Sequence, residues 1–496
     1  MRHLFCLIML IPAAAMAAET ASEPEPLPSG VAPIEPERGA LPEGLGTVVE
    51  EIEKYFAAQP AAEVLLGEAL TLNVAQCVDM ALAQNPKVAV ADADLKAAQE
   101  RVGVARSGLL PQVKGRVART HVEFNENLGN LGIIGLIFPV DQFRGNEDTT
   151  TSQMTVTQVL FAGGRILEAT KASQFLAKSQ AWQRQATLET IEFDTKRAYY
   201  DCLLAQALVR VADESVVTFQ RHASDAQQML DVGLISGFEL LRAQTELGAR
   251  QADAVAAKNK ELLTLTNLRR LLALPQQTPL RLEFKMDWLP LGESVETLTQ
   301  YAYDHRAELL ALNQATEAAE HDVKRATGQY LPQVAATAQY TALDGVSKFQ
   351  PEGWSFTLGG EWDLYAGGRR KHEVAEAKAR RSSLEHQLDD VKHLVELDVT
   401  QAYIQIQDAM AKIRSEKGTV ELATEGLRLA ELRFQEGVGT QSETLDAELA
   451  LTNAESKLVL ALHDYAVAHA ALDRAIGKSR SRPAKGGEIA AGAPEP

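Results

Sequence analysis

The alternation of apolar and polar positions changes period several times along this chain, and each change marks an element. Between Gly164 and Asp231, and again between Gly367 and Glu436, there is no proline, and Ala, Gln, Glu and Leu dominate. Such runs predict two unbroken helices, each about 100 Å long at 1.5 Å per residue. Shorter helical patterns cover 74–107, 238–273, 295–327 and 442–476, each about half that length. In the last of these, Leu451, Leu458, Tyr465 and Leu472 recur every seven residues beside Ala447, Ala454, Ala461, Ala468 and Ala475. One large and one small residue per heptad predict a coiled-coil seam in which neighbouring helices approach closely.

Two regions switch to a period of two. From Trp354 onward, Trp354, Phe356, Leu358, Gly360, Trp362 and Leu364 alternate with Ser355, Thr357, Gly359, Glu361 and Asp363. In the preceding strand Val334, Ala336, Ala338 and Tyr340 alternate with Gln333, Thr337, Gln339 and Thr341. The earlier region is noisier: Met154 and Val156 alternate with Thr155 and Thr157, but Lys114 and Arg116 interrupt the pattern. Alternation predicts strands with one apolar and one polar face, and by itself leaves open whether lipid or a protein core covers the apolar one.

These elements occur twice. Leu160-Phe-Ala-Gly-Gly-Arg165 recurs as Leu364-Tyr-Ala-Gly-Gly-Arg369, 204 residues on, and Gly233 with Phe238-Glu-Leu-Leu-Arg-Ala243 recurs as Gly437 with Ser442-Glu-Thr-Leu-Asp-Ala447 at the same offset. Leu110-Pro-Gln112 recurs as Leu331-Pro-Gln333, 221 residues on. The 17-residue difference therefore lies between Leu110 and Leu160, inside the first hairpin. Two coincident offsets separated by one insertion indicate a tandem duplication. The first repeat spans 71–274, with a hairpin at 112–161 and a turn at Gly233. The second spans 295–477, with a hairpin at 333–365 and a turn at Gly437. Each long helix is expected to turn at its glycine and be matched by two half-length helices laid end to end, 238–273 with 295–327, and 442–476 with 74–107. Residues 275–294, with Pro275, Pro279 and Pro290, would form a belt at mid-height together with a Pro- and Glu-rich tether at 18–70 and a loose tail at 478–496.

Composition narrows the class. Residues 1–17 read as a secretory signal, with Arg2 and His3, an apolar stretch from Leu4 to Ile11, and Ala15-Met16-Ala17 at the cleavage positions. The apolar stretch is shorter than the ~20 residues of a spanning helix. A second apolar run, Leu131 to Val140, is short and contains two glycines and a proline. The net charge of −18 disfavours nucleic acid as a partner. Cys77 and Cys202 remain after signal removal, as two free buried thiols or as a disulfide formed in an oxidising compartment. No phosphate loop, nucleophile elbow or His-Glu-x-x-His motif is present, so no catalytic, cofactor-binding or metal residues are assigned. Four strands per chain cannot close a membrane barrel, which needs about eight, so several copies must pool their hairpins.

At this point the chain resembles the TolC-like outer-membrane efflux proteins over about residues 70–477. The resemblance rests on the tandem repeat, the Leu-Pro-Gln and Leu-Phe/Tyr-Ala-Gly-Gly-Arg junctions, and the turn from Arg433-Phe434-Gln-Glu-Gly437 to Leu445-Asp446-Ala447. It implies a mainly α chain with a small β part, forming a long-helix coiled-coil tunnel and giving four strands to a trimeric twelve-stranded barrel in the outer membrane of a Gram-negative-type cell. It implies a homotrimer in outer-membrane lipid, docked to a periplasmic adaptor and through it to an inner-membrane transporter, as the passive exit duct of an efflux or type I secretion system. A non-conducting coiled-coil protein of the periplasm is the alternative. The adaptor-docking tips would be Gly233, Leu234, Ser236, Gly437, Val438 and Thr440. Glu239, Glu443 and Asp446 match the family's periplasmic aperture, although carboxylates at helix starts also serve as caps. Trp354, Trp362, Phe161 and Tyr365 would form the aromatic girdles of the barrel. Family members lock the closed mouth with a Tyr and an Arg where this chain has Phe434 and Gly439. That lock does not carry over, and Arg433 and Arg242 are the nearby substitutes.

Overall fold

The computed structural model describes residues 70–122, 147–283, 292–344 and 352–479. The expected signal at 1–17 lies outside the described residues, as do the 18–70 tether up to Leu70, part of the 275–294 linker and the tail beyond Ser479. In chain order the elements are β1 (Leu70–Leu72), α1 (Val74–Gln84), α2 (Pro86–Ser107), β2 (Gln112–Val122), β3 (Glu147–Phe161), α3 (Arg165–Asp231), α4 (Gly237–Leu271), β4 (Leu280–Leu282), α5 (Val295–His305), α6 (Ala307–Thr327), β5 (Gln333–Asp344), β6 (Glu352–Glu361), α7 (Arg369–Gln435) and α8 (Gln441–Ala475). No described helix is long and apolar enough to cross a membrane.

The duplication holds residue by residue. The starts of α1, α2 and β2 recur in α5, α6 and β5 at an offset of 221, and those of α3 and α4 recur in α7 and α8 at 204. Both long helices have 67 residues. Each starts from a glycine in the left-handed region, Gly164 at φ 77° and Gly368 at φ 83°, where residues with a Cβ are strained. Between the strands of the first hairpin lie residues 123–146, and between those of the second 345–351, which accounts for the 17-residue insertion.

Two expectations about the short helices need correction. Both 74–107 and 295–327 are broken. At Asn85 the backbone leaves the helix (φ −67°, ψ 126°) because Pro86 disfavours a helical residue before it. Arg306 adopts the same conformation (φ −67°, ψ 120°) with no proline after it. Its guanidinium holds it there, donating to the Ala475 carbonyl at 3.0 Å and pairing with Asp398 at 2.9 Å and Glu308 at 3.0 Å. The stacking order also differs. Asn85 donates its side-chain N–H to the Leu271 carbonyl at 2.9 Å, so α4 abuts α1 and α2 of its own repeat. By the same offsets, Arg306 seats on the end of α8, so α8 abuts α5 and α6. The cause is the chain path. After α4 the backbone turns at Ala273 (φ 55°) and enters β4, which pairs in parallel with β1 just before α1.

The four longer strands form one sheet in the order β2-β3-β5-β6, antiparallel throughout. Directly opposed residues share a face. Val113, Val156, Ala338 and Phe356 stand in one row across the sheet, and Met154, Tyr340 and Trp354 in another. Lys114 lies opposite Thr155, and Arg116 opposite Gln153. They do not break the alternation; they occupy the polar face, with Val113 and Val117 on the apolar one. A β-bulge at Leu160 shifts the register of β3. β6 ends at Glu361, so Trp362 and Leu364 fall beyond the strand in which the sequence pattern placed them, and the girdle candidate Tyr365 follows them.

Each repeat has its own core at mid-height. The first gathers Leu72, Cys77, Ala81, Ile191, Tyr199, Cys202, Leu268 and Leu271. The second gathers Leu309, Val395, Val399, Ile406, Leu462, Tyr465 and Leu472. Cys77 and Cys202 share the first core as free, fully buried thiols, each pushed up to about 12 by burial. Tyr200 packs against both cores. Between the repeats, His463 of α8 bonds Asp201 of α3 at 2.8 Å. Burial opposes its charge, but the bonds from Asp201 and neighbouring Asp464 prevail and raise it above the usual histidine value. In α8 the alanine seam is buried from Ala454 to Ala475 and opens toward the turn, where Ala447 is half-buried.

At the junction of sheet and helices the two repeats touch backbone to backbone. A Cβ on Gly163 (φ 62°) would lie 2.3 Å from the Gly328 carbonyl oxygen, whereas Gly164 (φ 77°) faces open space. Gly163→Ala is expected to destabilise the protein by about 3 kcal/mol or more, and Gly164→Ala by about 1 kcal/mol. Thermal unfolding of the two variants in detergent checks the difference.

Candidate functional site

The end of the molecule away from the sheet is built from two equivalent turns. At the foot of α3, Leu234 N–H reaches back to the Met229 carbonyl at 2.8 Å and Gly233 N–H to Leu230 at 2.9 Å. At the foot of α7, Val438 N–H reaches Arg433 at 2.9 Å and Gly437 N–H reaches Phe434 at 3.0 Å. This pattern closes a helix through a residue of positive φ, and Gly233 (76°) and Gly437 (73°) supply it. The turns leave apolar side chains in solvent: Leu234 is 74% exposed and Val438 68%. Val232, Phe238 and Leu241 beside them are also exposed. Sequence reasoning passed over these three, since an exposed apolar residue at a helix end has no local signature.

The remaining tip residues are already engaged. Ser236 and Thr440 occupy repeat-equivalent positions as the N-caps of α4 and α8. Ser236 donates its backbone N–H to the Glu239 carboxylate at 3.0 Å, and the Thr440 hydroxyl accepts from Glu443 N–H at 3.2 Å. Glu239 thus serves as part of a capping box, the plainer of its two expected roles.

The other two acids meet arginines. Arg242 of α4 donates to the Ser442 hydroxyl at 2.6 Å and lies 3.5 Å from the Asp446 carboxylate, both on α8. Arg433 lies 3.7 Å from Glu443. Gln441 donates to the His222 carbonyl at 3.2 Å, tying the start of α8 to α3. These bonds bring the two tips together as one unit. The groups are half-exposed, so the pairs are weak and exchangeable. Arg242 and Asp446 stand at the same position of the two repeats with opposite charge, and that inversion is the signal in the sequence for the bridge. Gly439 has no space for a longer residue: a Cβ there would lie 3.0 Å from both the Arg433 Cβ and the Phe434 backbone nitrogen.

At the opposite end, Trp354 packs beside Tyr340 at 5.3 Å between ring centroids and stays 50% exposed. Phe356 and Leu358 follow it on the same bare face. Trp362 donates its indole N–H to the Tyr330 carbonyl at 3.0 Å. Phe161 ends β3, and Tyr365 projects from the segment between β6 and α7. The tip and sheet clusters lie at opposite ends of helices about 100 Å long.

Comparison with known proteins agrees with this architecture. The family model described as outer membrane efflux protein matches residues 77–274 and 298–478. TolC, an outer membrane protein of Escherichia coli (strain K12), is 23% identical over 426 residues, covering 82% of each chain. CyaE of Bordetella pertussis is 24% identical over 396 residues, covering 78% of this chain and 80% of the relative. Among solved structures, the outer-membrane channel OprN superposes with a TM-score of 0.70 at 19% identity, covering 82% of this chain and 90% of its own. The outer membrane protein VceC of Vibrio cholerae gives 0.68 at 18% identity, covering 82% of this chain and 96% of its own. With both repeats matched by that family model over more than half of its length, the chain belongs to the outer membrane efflux protein family.

Proposed function

We propose that this chain is the passive outer-membrane exit duct of an efflux or secretion assembly and that it works as a trimer. One observation carries the reading: a four-stranded sheet with a bare apolar face and two open edges crowns helices that reach about 100 Å away from it. A closed barrel satisfies strand edges in lipid, and three such sheets give twelve strands. Relatives named for efflux and secretion fit this role: TtgC of Pseudomonas putida is a toluene efflux pump outer membrane protein, and AprF of Pseudomonas aeruginosa is an alkaline protease secretion protein.

The exposed apolar turns at Leu234 and Val438 would dock a periplasmic adaptor, which connects to an inner-membrane transporter. Closing such a barrel with its apolar face outward turns the other face to the lumen. There Lys114 stands in a row with Thr155, Gln339 and Ser355, and Arg116 with Gln153, Thr341 and Gly353. No carboxylate shares those rows. At those two rows the wall is basic, with Glu361 on the same face beside Gln333 at the end of the sheet nearest the helices, while the mouth carries Glu239, Glu443 and Asp446. At the mouth, Arg242 takes the place of the family's lock, holding α4 to Asp446 and Ser442.

Three measurements test this. A photo-reactive residue at Leu234 in the native host should capture a periplasmic adaptor; correctly localised, well-labelled protein that captures none would overturn the docking role. Arg242→Ala should raise single-channel conductance in lipid bilayers by about twofold to fivefold, the weight of an exposed pair, and unchanged conductance removes Arg242 from the lock. Replacing Lys114 and Arg116 together by Gln should lower the anion-over-cation permeability ratio by about tenfold at low salt, and less at high salt. An unaltered reversal potential would show that the sheet's polar face does not line the pore.

A further inference from the structure

Where the helices meet the sheet, the chain forms a cleft of about 530 Å³, a volume in the range of sites for small organic molecules. It lies over the first turn of α3, between the ends of α2 and α6. Val104, Ile166 and Ala169 give it an apolar wall, and Arg165, Gln112 and Gln333 a polar one. Arg165 is held in place. Its stem runs over Gly328, where a Cβ would lie 3.0 Å from the Arg165 Cγ. Its Nε donates to the Ala162 carbonyl at 3.0 Å and its Nη2 to the Gln333 side chain at 2.7 Å. Both acceptors are uncharged, and among the described residues no carboxylate pairs with it. The nearby acids are engaged elsewhere: Glu168 with His321 and Lys171, and Asp322 with Arg325. Glu361 stands across from Gln333 on β6. The second repeat treats the same arginine differently. Arg369 pairs with Glu373 at 3.0 Å and lies 3.7 Å from Asp363. The positions equivalent to those two acids hold Ala169 and Val159. The first repeat thus lacks both neutralising acids, and one of the replacements, Ala169, is part of the cleft wall.

We propose that this cleft binds amphipathic organic anions in transit, with their carboxylate, sulfonate or phosphate on Arg165 and their apolar body against Val104, Ile166 and Ala169. The proposal rests on the duct reading above and names a class of passenger for it. A guanidinium offers its N–H groups in a planar fork that matches such anions. The cleft also opens on the side that the duct reading turns to the lumen. Gln112 stands in a row with Thr157, Thr337 and Thr357 on the polar face of the sheet, and Gln333 shares the face of Thr337 by alternation along β5. The next residues of that face on β2 are Lys114 and Arg116, about 7 Å apart. An anion leaving Arg165 therefore meets Lys114 and then Arg116. Arg165 differs from those two in having an apolar wall beside its charge, so it favours anions with an apolar body over inorganic ones. A single shallow site of this kind holds a passenger briefly and releases it, as conduction requires.

The full-length protein in planar lipid bilayers tests this, with naphthalene-2-sulfonate as the probe. That anion should interrupt the single-channel current at concentrations where sulfate and uncharged naphthalene-2-methanol do not. Ala169→Glu gives Arg165 the acid that Arg369 has, and leaves the bonds to Ala162 and Gln333 in place. It should raise the half-blocking concentration about tenfold, the weight of one hydrogen bond to a charged group. Ala169→Gln fills the same space without the charge and should raise it far less. Open pores that the probe does not block, that sulfate blocks as well, or that respond alike to the probe in the wild type and A169E would overturn the site and leave the duct reading standing. An equal effect of Glu and Gln at position 169 would likewise overturn the part given to Arg165. Folded, membrane-inserted protein that forms no pores would overturn both readings.

Discussion

The architecture depends on two mid-height joints where one helix ends against another. A helix ends with carbonyls that lack intrahelical partners, and burying that end leaves them unsatisfied unless a side chain arrives. Asn85 meets the end of α4 and Arg306 meets the end of α8. Each joint lets short helices act as one continuous neighbour for a helix of 67 residues. Both cores lie at these joints, and β1 and β4 are anchored there by Tyr199, whose hydroxyl donates to the carbonyls of Leu72 and Glu283. Without the joints, a long helix would have a packed half and a loose half, and tips and sheet would lose their fixed separation.

Much of this was legible in the sequence, for local reasons. Proline-free runs bounded by Gly-Gly and by a turn glycine carry their own start and stop signals. The break at Asn85 was also readable, since Asn-Pro is a helix-start pair. The break at Arg306 was not, because nothing near it in sequence forbids a helix; distant partners impose it. The stacking order was hidden because heptads show that a helix packs without showing which end meets which, and the three-residue pairing of β1 with β4 that decides it is too short to leave a pattern. Lys114 and Arg116 were misread because two charges in a strand look like an interruption until Val113 and Val117 fix its phase. At the tips the glycines and caps follow from turn chemistry, whereas the meeting of Arg242 with Asp446 spans 204 residues of chain.

The two long helices are equal in length and unequal in surroundings. In the isolated chain α3 buries twenty residues and α7 seven. Position 199 is a fully buried tyrosine, and its counterpart Tyr403 is only partly covered. Propensity cannot produce that difference between repeats; the presence or absence of a neighbour does. The half-finished surroundings of α7 and the two open edges of the sheet are one incompleteness seen at the two ends of the molecule.

The Arg242–Asp446 bridge bears on ancestry. If the tips surround the mouth proposed above, a chain built from one repeat used throughout would place the same residue at every copy of this position. Whatever its charge, such a set could only repel itself or be neutral. Once two repeats were fused into one gene, the position could diverge into arginine in one copy and aspartate in the other. Divergence of the two repeats thus allows attraction between the two tips of one chain, which identical repeats could not have at that place.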